Sequence, residues 1–179
     1  MQERRKVGLI LGGVAGAAVV GVGGYLALER VAEREPEEPQ FESAPEFALK
    51  TLGARDVSLE DSAGSPRIVT AFASWSPYSE AELQMLDRLA REYPDITVIA
   101  INRKEPKPVA RDYVARTLPE DHALTILEDP EDSWFADAGG YHMPETLFID
   151  GEGNIRHHQR GPMTEAVARR ELGELLGGE

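Results

Sequence analysis

The chain has 179 residues, 41% of them hydrophobic, and a formal charge of −13 at pH 7. That length holds one core plus flanking segments, and the negative charge argues against nucleic acid as a partner, because phosphate repels such a surface. No cysteine is present, which excludes disulfides within the chain, thiolate metal sites and redox chemistry by its own thiols. Four Lys and 15 Arg face 32 acidic residues, an acidic, lysine-poor balance that suits saline surroundings.

Residues 7–28 contain no charged side chain. At 1.5 Å per residue they reach across a hydrocarbon core of roughly 30 Å, so a transmembrane helix is expected there. Arg4, Arg5 and Lys6 precede the run and Glu29, Glu33, Glu35, Glu37 and Glu38 follow it. The positive-inside rule then puts residues 1–6 in the cytoplasm and the remainder outside, at the cell surface or in the periplasm. A cleaved signal peptide is the rival reading. Its apolar region is ordinarily about 7–15 residues long and ends in a small-x-small site, which Tyr25-Leu26-Ala27 fits poorly. Gly8, Gly12 and Gly16 recur every fourth residue, a stripe through which two membrane helices can pack into a homodimer. Residues 29–43 are acidic and carry Pro36 and Pro39, which predicts an extended, hydrated linker.

Residues 44–179 read as one α/β domain. Phe47 and Leu49 alternate with polar or small neighbours, as in an edge strand, and Val57–Leu59 is a second extended piece after a turn at Gly53. Gly64-Ser65-Pro66 turns the chain into Ile68–Ala73, an apolar run typical of a strand covered on both faces. Ser76 is placed as a helix N-cap with Pro77 at N1. Leu83, Leu86, Ala90 and Tyr93 then recur at helical spacing. Ile96–Ile101 is a β-branched strand, and Val109, Tyr113, Val114 and Leu118 mark a helix. Leu124–Leu127 is a further strand. Asp129 and Pro130 are placed as N-cap and N1 of a helix bearing Trp134, Phe135 and Ala138. Thr146–Ile149 and Ile155–Gln159 form a hairpin about Asp150-Gly151-Glu152-Gly153-Asn154. A last helix opens at Gly161-Pro162, with Val167, Ala168, Leu172, Leu175 and Leu176 facing inward. The alternation predicts a central sheet with helices on both faces, preceded by a β-hairpin.

Phe72-Ala73-Ser74-Trp75-Ser76-Pro77-Tyr78-Ser79 resembles the active-site turn of the thioredoxin superfamily, in its membrane-tethered TlpA/ResA-like branch, where the turn reads Trp-Cys-x-x-Cys. Ala44-Pro45-Glu46-Phe47 resembles that branch's opening, and Met143-Pro144-Glu145-Thr146-Leu147-Phe148-Ile149-Asp150 its proline loop. The resemblance implies a thioredoxin-like fold and a cis bond at Met143–Pro144 beside the turn. It also implies an apolar surface of Trp75, Pro77, Tyr78, Met143 and Pro144 that receives an extended segment of a partner protein. Glu82 matches a carboxylate that assists proton movement at the family's thiols. Here it has no thiol to serve, and stabilising the start of the helix accounts for it.

Ser76 and Ser79 stand at both cysteine positions. A hydroxyl is far less acidic than a thiol, so the helix dipole does not make it an anion, and two serines cannot exchange disulfides. No catalytic residue and no cofactor are therefore expected, and the reading is a partner-binding protein. Two other readings stay open. The chain can still serve thiol–disulfide exchange, either because the serines are engineered replacements for cysteines or because a partner supplies the thiols. Or His142 and Met143 supply nitrogen and thioether to copper. As strand neighbours, His157 and His158 point to opposite faces and do not easily share an ion. Ser76 as a nucleophile needs a base, for which His142, the one histidine near the expected proline loop, is the candidate.

Overall fold

The computed structural model describes residues 43–177. The expected cytoplasmic segment, the transmembrane helix, the Gly8/Gly12/Gly16 stripe and nearly all of the linker lie outside these residues. Among the described residues no helix is long and apolar enough to cross a membrane.

The first strands, β1 (Ala48–Thr51) and β2 (Asp56–Ser58), form an antiparallel hairpin. A short 3-10 turn over Leu59–Ser62, which takes in Leu59 of the extended piece expected at Val57–Leu59, leads to β3 (Arg67–Phe72). There follow α1 (Ser79–Glu92), β4 (Thr97–Arg103), α2 (Lys107–Thr117), β5 (Thr125–Asp129), α3 (Ser133–Asp137), β6 (Glu145–Ile149), β7 (Ile155–Arg160) and α4 (Glu165–Gly177). The seven strands make one mixed sheet in the order β2-β1-β5-β4-β3-β6-β7. β3, β4 and β5 run parallel, joined through helices as parallel pairs require, while β1 and β6 are antiparallel to β5 and β3. β1 is thus not an edge strand as its alternation suggests: β2 covers its outer side and takes the edge.

Every residue of β3 is buried, and its two faces feed two cores. Ile68 and Phe72 join Leu83, Leu86 and Leu89 of α1, Tyr113 and Val114 of α2, and Ala168 and Leu172 of α4. Val69 and Ala71 join Val57, Leu59, Ile101, Leu127, Trp134 and Phe135 on the opposite face. The period of two along the strand dictates this split, and each fully buried aliphatic or aromatic side chain contributes roughly 1.5–3 kcal/mol.

Three local expectations change. Helix α1 begins at Ser79 with Tyr78 at its N-cap, because Ser76 and Ser79 first close two turns, Ser76 N to Ala73 O at 3.1 Å and Ser79 N to Ser76 O at 3.4 Å. In α3 the N-cap is Asp132, at φ 62°. Asp129 still serves that helix from upstream, its carboxylate accepting from Ser133 N, Ser133 Oγ and Trp134 N at 3.0–3.1 Å. The turn expected at Gly53 does join β1 to β2, with Ala54 taking the left-handed conformation, at φ 67°. In α4, Leu176 is 42% exposed. At 100° per residue it lies about 80° around the axis from Ala168, on the rim of a stripe centred on Ala168, Leu172 and Leu175; Val167, about 100° to the other side, is half-buried.

Candidate functional site

The C-terminal end of β3 delivers the chain into Ser74–Tyr78, and β6 begins directly after a cis peptide bond at Met143–Pro144. The two segments touch: Ser76 Oγ donates to the Met143 carbonyl at 3.2 Å and accepts from Tyr78 N at 3.4 Å. Ser79 Oγ turns inward and accepts from Ala73 N at 3.3 Å. Both serines are buried, whereas Trp75 is 63% and Tyr78 53% exposed. Pro77 is exposed and Met143 half-buried. Pro144 lies beneath the surface and accepts from Gly161 N at 3.0 Å through its carbonyl. The expected surface is therefore open at Trp75, Pro77 and Tyr78 and underlain by the proline loop.

Three carboxylates surround this surface. Glu82 of α1 is only 4% exposed. It reaches away from the helix start, accepting from Thr146 Oγ1 at 2.8 Å and Met163 N at 3.2 Å. Thr70 Oγ1 lies 2.8 Å beyond, on Thr146 Oγ1. Burial outweighs these hydrogen bonds and raises its pKa from 4.5 to about 7. Glu82 thus stands in the first turn of α1, as expected, and its carboxylate takes on a further role inside the fold.

Glu145, the residue after the cis proline, is fully buried. Its Oε2 accepts from the amides of Tyr141 at 3.1 Å and His142 at 2.8 Å, and its Oε1 meets His158 Nε2 at 2.6 Å and Arg160 Nε at 3.6 Å. Burial acts to raise its pKa, but the bonds from His158 and the two amides prevail and hold it below the ordinary 4.5. The third acid, Glu105, lies between β4 and α2 and accepts from Ser74 N at 2.8 Å, Ser74 Oγ at 2.5 Å and Asn102 Nδ2 at 2.8 Å. Neither Glu105 nor Glu145 stands out in the sequence as a site residue. The one signal for Glu145 is its place after Pro144, and Glu105 gives none, since its partner lies 31 residues away.

The arrangement offers little chemistry to the serines. Ser76 Oγ is engaged by a carbonyl and an amide, and no base is bonded to it among the described residues, whereas an activated serine needs one. His142 is exposed, and its ring packs edge-on against Tyr141 at 5.1 Å. Among the described residues no group of three His, Asp or Glu gathers as a metal site. His158 and His157 do face opposite ways, to Glu145 and to Glu171 at 3.4 Å. Tyr141, 84% exposed at the mouth of the proline loop, adds a third open aromatic ring that the sequence does not single out.

A family model described as the AhpC/TSA family matches residues 42–158. The chain belongs to the AhpC/TSA family. Among its relatives, the thiol:disulfide interchange protein DsbE of Allochromatium vinosum is 34% identical over 139 residues, covering 74% of this chain and 73% of the relative. The thioredoxin-like protein YneN of Bacillus subtilis is 26% identical and covers 90% of this chain and 95% of its own. In fold, the chain is similar to the crystal structure of a putative thiol:disulfide interchange protein DsbE from Chlorobium tepidum. The TM-score is 0.71, the identity 22%, and the coverage 77% of this chain and 98% of that one. The AhpC/TSA fold seen here is thus thioredoxin-like, in the redoxin-type branch that the turn and proline loop resemble. Within it, this member has serine at both positions of the turn and no cysteine anywhere, so thiol exchange by its own side chains is chemically closed.

Proposed function

We propose that the chain is a membrane-anchored protein whose thioredoxin-like domain (residues 44–179) lies outside the cytoplasm and binds an extended segment of a partner protein without thiol chemistry. Residues 7–28 are the anchor and 29–43 the spacer. The observation that carries this reading is the division of labour at the turn. The two serines are buried and spend their hydroxyls within the fold, while Trp75 and Tyr78 stand open beside the half-buried Met143. Exposed aromatic rings over a fixed backbone give apolar and stacking area to an extended chain, and such binding requires no sulfur. The charge pattern supports the topology: residues 1–28 carry +2, leaving −15 on the outer side.

Photo-methionine incorporated into the full-length chain in its native cell tests the reading, with adducts mapped to Met143. The expected result is a discrete adduct that disappears in Trp75→Ala with Tyr78→Ala. An adduct unaffected by the double variant removes the surface from the account.

A further inference from the structure

Trp75 is the most open large side chain of the turn, and burial does not hold it. Its backbone is held instead, on both sides. C-terminally, Ser76 is bonded through N to Ala73 O and through Oγ to Met143 O. N-terminally, both donors of Ser74 converge on one carboxylate from elsewhere in the chain, Ser74 N on Glu105 Oε2 at 2.8 Å and Ser74 Oγ on Glu105 Oε1 at 2.5 Å. Asn102, nearly fully buried at the end of β4, donates to the same Oε2 at 2.8 Å and fixes the carboxylate from behind.

No ion pair to Glu105 occurs among the described residues, and the adjacent Lys104 lies 4.0 Å from Asp132 instead. The charge of Glu105 is answered by three dipolar donors, two of them on the residue before Trp75. Such charge-assisted bonds are stronger than neutral ones. A ring whose backbone is fixed before a partner arrives loses less conformational freedom on binding.

We propose that Glu105 is the positioning residue of the docking surface: through Ser74 it sets the backbone that presents Trp75 to the partner's segment. The proposal rests on the docking reading above and deepens it.

The test uses the full-length chain with Glu105→Ala, Glu105→Gln and Ser74→Ala, and Trp75→Ala as comparator. Trp134 is buried, so acrylamide separates the accessible Trp75 emission from it, and time-resolved anisotropy then reports the motion of Trp75 alone. In the parent chain the anisotropy of Trp75 is expected to decay mainly with the tumbling of the whole domain, with a small fast component from the exposed ring. In Glu105→Ala, which removes both bonds to Ser74, a larger fast component is expected, and the photo-methionine adduct at Met143 falls about tenfold. Glu105→Gln keeps one acceptor oxygen and falls between the two. Unchanged anisotropy in Glu105→Ala overturns the proposal. An adduct that is lost in Trp75→Ala but intact in Glu105→Ala overturns it too, and leaves docking standing. An adduct intact in Trp75→Ala overturns the docking reading, and the anisotropy then shows separately whether Glu105 holds the turn. Should Glu105→Ala fail to fold, as judged by the emission of Trp134, Glu105→Gln and Ser74→Ala decide, since each removes only part of the bonding.

Discussion

Replacing Glu82 with glutamine is expected to stabilise the domain in mild alkali. The carboxyl is enclosed between α1, β6 and the segment before α4, with Thr146 Oγ1 and Met163 N as donors. Burial raises its pKa from 4.5 to about 7. The folded chain therefore holds this proton more tightly than the unfolded chain. That contribution is present in full below the unfolded value and is lost as pH rises through about 7. The span from 4.5 to about 7 corresponds to about 3 kcal/mol at 1.36 kcal/mol per pKa unit. Glutamine is neutral and nearly isosteric. It keeps one acceptor for the two donors and brings an amide that needs its own partner, a cost of about 1 kcal/mol. Glu82→Gln is thus expected to be less stable than the parent by about 1 kcal/mol near pH 4.5 and more stable by about 2 kcal/mol near pH 8.5. Urea unfolding followed through the buried Trp134, at four pH values across this range, measures both limits. A stability difference that stays flat with pH would mean that the folded state does not bind the Glu82 proton more tightly than the unfolded chain.

Glu145 reports at the opposite end of the scale. Its pKa is held below 4.5, so its stabilisation is present above the unfolded value and lost as pH falls through the lower folded one. Glu145→Ala leaves His158 and the amides of Tyr141 and His142 without their acceptor and is expected to cost about 3 kcal/mol at neutral pH in a urea melt. Trp134→Ala, which empties a fully enclosed site in the second core, is expected to cost about 3–5 kcal/mol. Trp75→Ala at the open turn is expected to stay within about 0.5 kcal/mol, so equal costs for the two tryptophans would contradict the burial described here. Asp129→Ala removes the acceptor for Ser133 and Trp134 at the start of α3. A loss of about 2 kcal/mol in thermal or urea unfolding is expected, the upper end for a helix cap.

The strands were legible where their residues declare burial. Ile68–Ala73 and Ile96–Ile101 are apolar and β-branched enough to admit only central positions, and β3 and β4 occupy them. The proline loop was legible because Met143–Pro144 and the turn at Trp75 form a recognisable pair even without cysteine. What escaped the sequence depends on distance. Whether β1 lies at an edge is decided by where β2 folds back, which Phe47 and Leu49 do not encode. Ser76 has the chemistry of an N-cap, and its Oγ does accept from Tyr78 N while donating to Met143 O, but the turns closed by Ser76 N and Ser79 N delay the helix to Ser79. Asp129 caps a helix that begins three residues later than Pro130 suggests, because a carboxylate can reach across a turn. Glu105 and Glu145 look like surface acids among 32, and only the meeting of separate segments makes them the supports of the turn and of the loop.

The proposed docking surface at Trp75 and Tyr78 would hold its partner without thiol exchange, since the chain has no cysteine. Co-purification of that partner with the full-length chain, with and without dithiothreitol, tests this most directly. Retention in both conditions, abolished by Trp75→Ala with Tyr78→Ala, is the predicted result. Release by dithiothreitol, or retention by the double variant, would contradict it.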